Sequence, residues 1–385
     1  MKEVEKRGGG EKRREEGREM IESEVQEGEK GKRGKVKRTQ LPRDILAGSG
    51  VLEEVGDVCR RLSLEGVALV VTGQKTRKIA GERVLQILED ADYDAQIVEI
   101  KHKEADRESV ESVKDAVRET KARFLLSVGG GRVIDIGKVA SFEMEIPFVS
   151  VPTIASHDGI ASPRATIKNG RFPVSVQTHA PLAVVADTEI IANAPFRFTA
   201  AGCGDIVANF TAVLDWKLAY RLRNQEFSSY AAALSEMTAN MVLENAKEIK
   251  RGGEIAAWLV TKALISSGVA ISIAGTSAPA SGSEHKFSHA LDILAPRRAL
   301  HGEQCGIGTI MMAYLHGEDW QRIKNVLREI GAPTTAKEIG VPDEIIIEAL
   351  THAHKINPHR YTILGDSGLT REAAERLARI TGVID

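Results

Sequence analysis

From Val67 onward, apolar residues fall in short, nearly unbroken runs: VALVVTG (Val67 to Gly73), QIVEI (Gln96 to Ile100), FLLSVGG (Phe124 to Gly130) and PFVSVPT (Pro147 to Thr153). Each is β-branched and of strand length, so each predicts a strand covered on both faces. Between them, GERVLQILEDA and SVESVKDAVRETKA carry apolar residues at helical spacing. The order β-α-β-α-β-α-β predicts a parallel, doubly wound sheet. Ligands then belong at the strand carboxyl ends, where the topology switches direction. Next, RATIKNGRFPVSVQ sets Asn169-Gly170 between two alternating runs, a hairpin signal, and AVVAD (Ala183 to Asp187) predicts one more strand. From about Thr188 strand patterns cease, and long helical stretches such as GDIVANFTAVLDWKLAYRL follow. The last helix starts after Thr370 and stops at Gly382. No repeat of fixed period is present, which argues against a solenoid.

A chain of 385 residues exceeds one ordinary core. The pattern divides it into a charged flexible tail (1–38), an α/β dinucleotide-binding domain (39–190) and an all-α domain carrying metal and substrate residues (191–385). With 42% hydrophobic residues and a formal charge of -2, nothing points to a nucleic-acid partner. The three cysteines, Cys59, Cys203 and Cys305, form no CxxC pair, and no apolar leader or membrane-spanning run stands out, which suits a cytoplasmic protein.

The chemistry begins at SVGGGRVIDIGK. Gly129, Gly130 and Gly131 end a predicted strand and open a predicted helix, where the absence of Cβ atoms lets backbone N–H groups approach a pyrophosphate. Thr72 and Gly73, and Thr153 and Ser156, occupy similar strand ends, so three ends together favour a nucleotide over a plain turn. In SEHKFSHALD, His285 and His289 are four apart and share a helix face, a spacing suited to one ion or one substrate. The alternative is a hydrogen-bonded pair in a helical core. His301 opens another helix in LHGEQCGIGTIMMAYL, and AGCGDIVAN puts Asp205 at a helix start among small residues. One Asp and two His leave zinc a fourth position for water or substrate, as catalysis requires. Spacing alone would admit His289 as a fourth ligand.

The stretches SVGGGRVIDIGK, VPTIASHDGIASPRA, GCGDIVAN, SGSEHKFSHALD, LHGEQCGIGTIMM, GAPTTAKEIG and RYTIL, in this order, resemble the archaeal sn-glycerol-1-phosphate dehydrogenases. That family lies within the superfamily of glycerol dehydrogenase, iron-type alcohol dehydrogenases and dehydroquinate synthase. The likeness runs from about residue 40 to the end. It implies a dehydroquinate synthase-like fold, with a Rossmann-like amino-terminal domain and an all-α carboxyl-terminal domain. It also implies reduction of dihydroxyacetone phosphate by NADH or NADPH for archaeal membrane phospholipids, in a homo-oligomer. By resemblance Asp205, His285 and His301 are zinc ligands. Gly129, Gly130, Gly131, Arg132, Val133, Thr153, Ile154, Ala155, Ser156 and Ser162 bind the cofactor. Asp158, Asp205 and His289 meet the substrate and serve catalysis.

A substrate phosphate needs donors, and Arg164, Lys286 and Arg298 lie near the motifs. Lys286 replaces an apolar residue of the family pattern and is expected on the helix surface. Lys75, Arg77 and Lys101 lie near early strand ends, where a cofactor 2'-phosphate would sit, but no residue decides between NADH and NADPH. Cys203 and Cys305 flank the ligand segments and read as small buried thiols. Competing functions are a glycerol or polyol dehydrogenase, a dehydroquinate-synthase-like lyase, and a metal-stabilised scaffold.

Overall fold

The computed structural model describes residues 39–102, 104–169, 172–295 and 299–385, all within one unit, Thr39–Asp385. The charged tail, Gly170 of the hairpin turn and Arg298 lie outside the described residues. Eight strands are present: β1 (Asp44–Gly48), β2 (Ala68–Gly73), β3 (Ala95–Ile100), β4 (Phe124–Gly129), β5 (Phe148–Pro152), β6 (Arg164–Asn169), β7 (Phe172–Gln177) and β8 (Ala183–Asp187). Six form a parallel sheet in the order β1-β8-β5-β4-β2-β3, and β6 and β7 pair as an antiparallel hairpin.

The runs read as buried strands are strands, and their alternation explains why they are apolar throughout. In β2, Ala68 and Val70 pack into the core on one face, while Leu69 and Val71 pack into the core on the other. The first face is covered by α1 (Val55–Arg61) and α2 (Glu82–Asp90), the second by α3 (Arg107–Thr120) and α4 (Gly131–Glu143). The sequence pattern does not announce β1. DILAG is a half-buried edge strand, too short to stand out beside Pro42 and Gly48.

After β8 the described residues hold helices and no strand. They are α5 (Thr188–Ala192), α6 (Phe196–Arg223), α7 (Ser229–Glu244), α8 (Ala246–Lys250), α9 (Gly253–Ala274), α10 (Ser283–Leu294), α11 (His301–Leu315), α12 (Trp320–Ile330), α13 (Asp343–His352) and α14 (Arg371–Ile380). The Thr370 side chain caps α14 by accepting from the Ala373 N–H, and Gly382 turns the chain with a positive φ just beyond it. One expectation is corrected: Asp205 does not start a helix but lies well inside α6, which begins at Phe196. The glycines that suggested a helix start are instead surfaces on which other backbone segments rest. A second refinement concerns α9, which is long and apolar enough to cross a membrane. Its most apolar window is 67% buried, against α5, α6 and α7, as befits a core helix.

Strand order places a switch point between β2 and β4: the chain leaves β2 outward to β3, then returns to the other side of β2. The glycine run lies at this crevice, and α6, α10 and α11 bring the remaining chemistry to it.

Candidate active site and metal centre

Asp205 on α6, His285 on α10 and His301 at the first position of α11 come together. Their ligand atoms and the Cys305 sulfur all lie within 4.8 Å of one another. His285 Nε2 is 3.7 Å and His301 Nε2 3.5 Å from the same Asp205 oxygen, Oδ1. The approach depends on two glycines. A methyl on Gly204 would collide with the Gly302 carbonyl oxygen, and one on Gly302 with the Ala201 carbonyl oxygen. Backbone therefore touches backbone where α6 crosses α11, which sets Asp205 against His301.

Each imidazole is held by its other nitrogen. Glu284, fully buried, has Oε1 3.0 Å from His285 Nδ1, and its second oxygen accepts the Thr211 hydroxyl at 2.8 Å. Ser288 donates to Gln304 Oε1 at 2.6 Å, so its oxygen is left to accept from His301 Nδ1, 3.2 Å away. Both Nε2 atoms consequently face Asp205. Burial and the neighbouring His285 push the His301 pKa down to about 3, leaving a neutral ring, the form a metal takes. Burial alone would raise Asp205, but the hydrogen bond from His285 and the charge on that ring hold it below the usual carboxylate range. Two oriented imidazoles and one carboxylate fit a divalent transition metal.

His289 stands outside this group. Its ring centroid lies 6.5 Å from that of His285 and 5.7 Å from that of His301, and Nδ1 is 3.8 Å from Asp292 Oδ2. Cys305, one turn after His301, takes the fourth place in the cluster; burial raises its thiol to about 11. Cys203 is buried and its thiol is likewise raised by burial.

A cavity of about 520 Å³ opens beside the cluster. Gly131 and Arg132 line it from the start of α4, Asp158 and Ser162 from the segment after β5, and His285, His289 and His301 from α10 and α11. Asp205 reaches it indirectly, accepting the Asp158 N–H at 2.9 Å. Burial and the Asp205 carboxylate raise the Asp158 carboxyl to about 6, and Ser267 on α9 donates to it at 2.9 Å. Gly130 caps α4 without a side chain, so the first N–H groups of that helix have no side-chain cap. The space in front of Gly131 is taken by the His157 ring, which any Cβ there would strike. Behind this wall, the Thr153 N–H donates to the Gly129 carbonyl at 3.0 Å, and Ile154 packs where a Cβ of Gly130 would stand. Val133, Ala155 and Ser156 are likewise absent from the cavity lining.

Other candidates fare differently. Lys286 is buried rather than on the helix surface, 4% exposed, and burial together with nearby Arg360 lowers it to about 8. It does not line the cavity, and neither do Lys75, Arg77 or Lys101. Arg77 instead pairs with Glu82 at 3.1 Å. Sequence reasoning missed Glu284, Ser288 and Ser267. The first two adjoin the histidine motif, whereas Ser267 carries no signal, since its role comes from a contact across 109 residues.

Residues 46–195 match the family described as iron-containing alcohol dehydrogenase. Over 345 residues, 90% of this chain and 96% of the relative, the sequence is 61% identical to the glycerol-1-phosphate dehydrogenase (NAD(P)+) of Methanosarcina acetivorans. The chain belongs to the glycerol-1-phosphate dehydrogenase family. The Pyrococcus furiosus member is 54% identical over 345 residues, covering 90% of this chain and 99% of its own. Among solved structures, glycerol dehydrogenase from Schizosaccharomyces pombe superposes with a TM-score of 0.76 at 18% identity, covering 91% of this chain and 92% of its own. Sulfoacetaldehyde reductase from Bifidobacterium kashiwanohense, in complex with NAD+, gives a TM-score of 0.72 at 16% identity over 91% of this chain and 100% of its own. These last two share the fold.

Proposed function

We propose that this protein reduces dihydroxyacetone phosphate to sn-glycerol 1-phosphate with NADH or NADPH, supplying the glycerol phosphate of archaeal membrane phospholipids. One observation carries the reading in a chain of this family: Asp205, His285 and His301 meet beside a cavity that also reaches Gly131. Asp205, His285 and His301 hold zinc, and Gly129 to Val133, Thr153 to Ser156 and Ser162 form and back the cofactor pocket. When bound, zinc supplies Lewis-acid polarisation of a carbonyl and the nicotinamide supplies a hydride.

The chain's own residues orient and protonate. Asp158, fixed by Ser267, and His289, beside Asp292, face the substrate. Each is placed to pass a proton to the product oxygen, directly or through one water. Glu284 and Ser288 keep the two ligating rings in register. The cavity lies at the junction of an α/β domain, 39–190, and a helical domain, 191–385. We place the protein in the cytoplasm as a homo-oligomer.

NAD(P)H oxidation is measured with dihydroxyacetone phosphate beside dihydroxyacetone, and the product is analysed on a chiral phase. Preference for the phosphate ester and formation of the sn-1 isomer are expected. Faster turnover of dihydroxyacetone would favour a polyol dehydrogenase, and full activity in thorough chelator would overturn the zinc assignment.

A further inference from the structure

The cavity carries positive charge that the metal cluster and the glycine run do not use. Arg164, the first residue of β6, lines it. Its Nη1 donates to Gln177 Oε1 at 2.8 Å, while its Nε is buried with no partner. Arg360, in the segment between α13 and α14, donates from Nη1 to the Ser281 carbonyl at 2.6 Å and from Nη2 to Ser277 Oγ at 2.8 Å. Ser277 and Ser281 both line the cavity, and Arg360 stands behind them, outside the lining. Among the described residues, neither guanidinium has a carboxylate within ion-pair distance, unlike Arg197 with Glu303 or Lys168 with Glu104.

Two half-buried cations near each other without a counter-ion are costly. Burial and the nearby Arg164 bring the Arg360 pKa down to about 10, and burial lowers Arg164 as well. Such an arrangement is stable when an anion completes it. The hydrogen bonding also leaves donors without an acceptor. Ser277 Oγ already accepts from Arg360, so its own O–H remains to donate, and Arg164 Nε–H has nothing else to meet. The anion site is held firmly relative to the reacting centre. Lys138, fully buried, donates to the carbonyls of Gly159 at 2.5 Å and Arg164 at 2.7 Å, so the segment that bears Asp158 and the one that bears Arg164 are tied to one ammonium group. On the other wall, Ser281 lies four residues before His285, just ahead of α10.

We propose that Arg164 and the Ser277 hydroxyl, with the Arg360 guanidinium behind Ser277 and Ser281, form a subsite for a phosphate monoester dianion, the group that separates dihydroxyacetone phosphate from dihydroxyacetone. This deepens the proposed function and rests on it for the identity of the ester. The same chemistry would also accept the 2'-phosphate of NADPH, and the experiment separates the two sources.

Arg164→Gln, Arg360→Gln and the double variant are compared with the wild type. Zinc content and NADH fluorescence titration serve as checks of folding. Loss of one charge-assisted contact is expected to raise KM for dihydroxyacetone phosphate by about tenfold or more, and loss of both by on the order of a hundredfold. KM for NADH and NADPH should move less than about twofold, so the preference for the phosphate ester over dihydroxyacetone collapses. Unchanged KM for dihydroxyacetone phosphate in a folded double variant overturns the subsite. A rise confined to KM for NADPH overturns the substrate assignment and gives the pair to the cofactor. Calorimetric titration with inorganic phosphate supplies a readout independent of turnover. Should the wild type not reduce dihydroxyacetone phosphate at all, the proposed function fails; phosphate binding lost in the double variant would still support the subsite, and phosphate binding kept there would overturn it.

Discussion

At the scale of single residues, the site depends on groups that never touch substrate. Glu284 is a fully buried carboxylate that accepts from Gly282 N–H at 2.6 Å and from Thr211, and lies against His285 Nδ1. Replacing it with glutamine turns an amide N–H₂ toward donors that need an acceptor, and His285 loses its orienting charge. Glu284→Gln is expected to weaken zinc binding by about 10–100-fold, read by competition with a chromophoric chelator. The histidines themselves were legible in the sequence because three of ten fall within a short span, two of them, His285 and His289, at helical spacing. Glu284 and Ser288 were not, because a buried acid beside a histidine looks the same on paper as a solvated one. Lys286 shows the same blindness in reverse: its position in the motif suggested a surface, yet it is buried.

At the scale of elements, strand runs with both faces covered were readable, as were the cap and stop of α14. The start of α6 was not, since glycine is a poor helix former and its tolerance here comes from a neighbouring helix. Gly302→Ala tests that contact. The added methyl forces α11 away from α6, with an expected loss of about 1–3 kcal/mol in denaturant unfolding and a larger loss of zinc affinity, since Asp205 and His301 separate. The turn before α13 holds a second device. Glu338 accepts the backbone N–H groups of Thr334 at 2.7 Å and Thr335 at 3.0 Å and the Thr335 hydroxyl at 3.0 Å. Burial alone would raise this carboxyl, but those hydrogen bonds hold it below the ordinary 4.5. A carboxylate lowered in the folded state stabilises above its unfolded pKa and loses that contribution as pH falls through the folded value. Glu338→Gln should therefore melt below the wild type at pH 7, by an amount kept small by solvent screening, with the gap closing under about pH 4. A gap independent of pH in thermal scans would contradict this.

At the scale of the whole molecule, the proposed metal ligands Asp205, His285 and His301 come from α6, α10 and α11, beside a cavity whose far wall is made by the start of α4, the segment after β5 and the β6–β7 hairpin. Metal bound by the folded chain alone stabilises it through mass action, by about 4 kcal/mol at a free concentration a thousand times Kd. Stripping with chelator is expected to lower Tm, and re-addition to restore it in proportion to the logarithm of free zinc; a Tm indifferent to chelator would refute the shared ligation. That wider arrangement was readable only through resemblance, because periodicity predicts elements and not which helix ends converge on a sheet. The edge strand β1 has its own consequence. It comes first in the sheet's sequence yet hydrogen-bonds β8, the last, and the Asp187 carboxylate at the end of β8 receives the N–H groups of Gly50 at 3.3 Å and Leu52 at 3.0 Å. During synthesis the earliest strand must therefore wait, unpaired, until the ribosome has released its distant neighbour, and Asp187 latches the border of the nascent sheet only then.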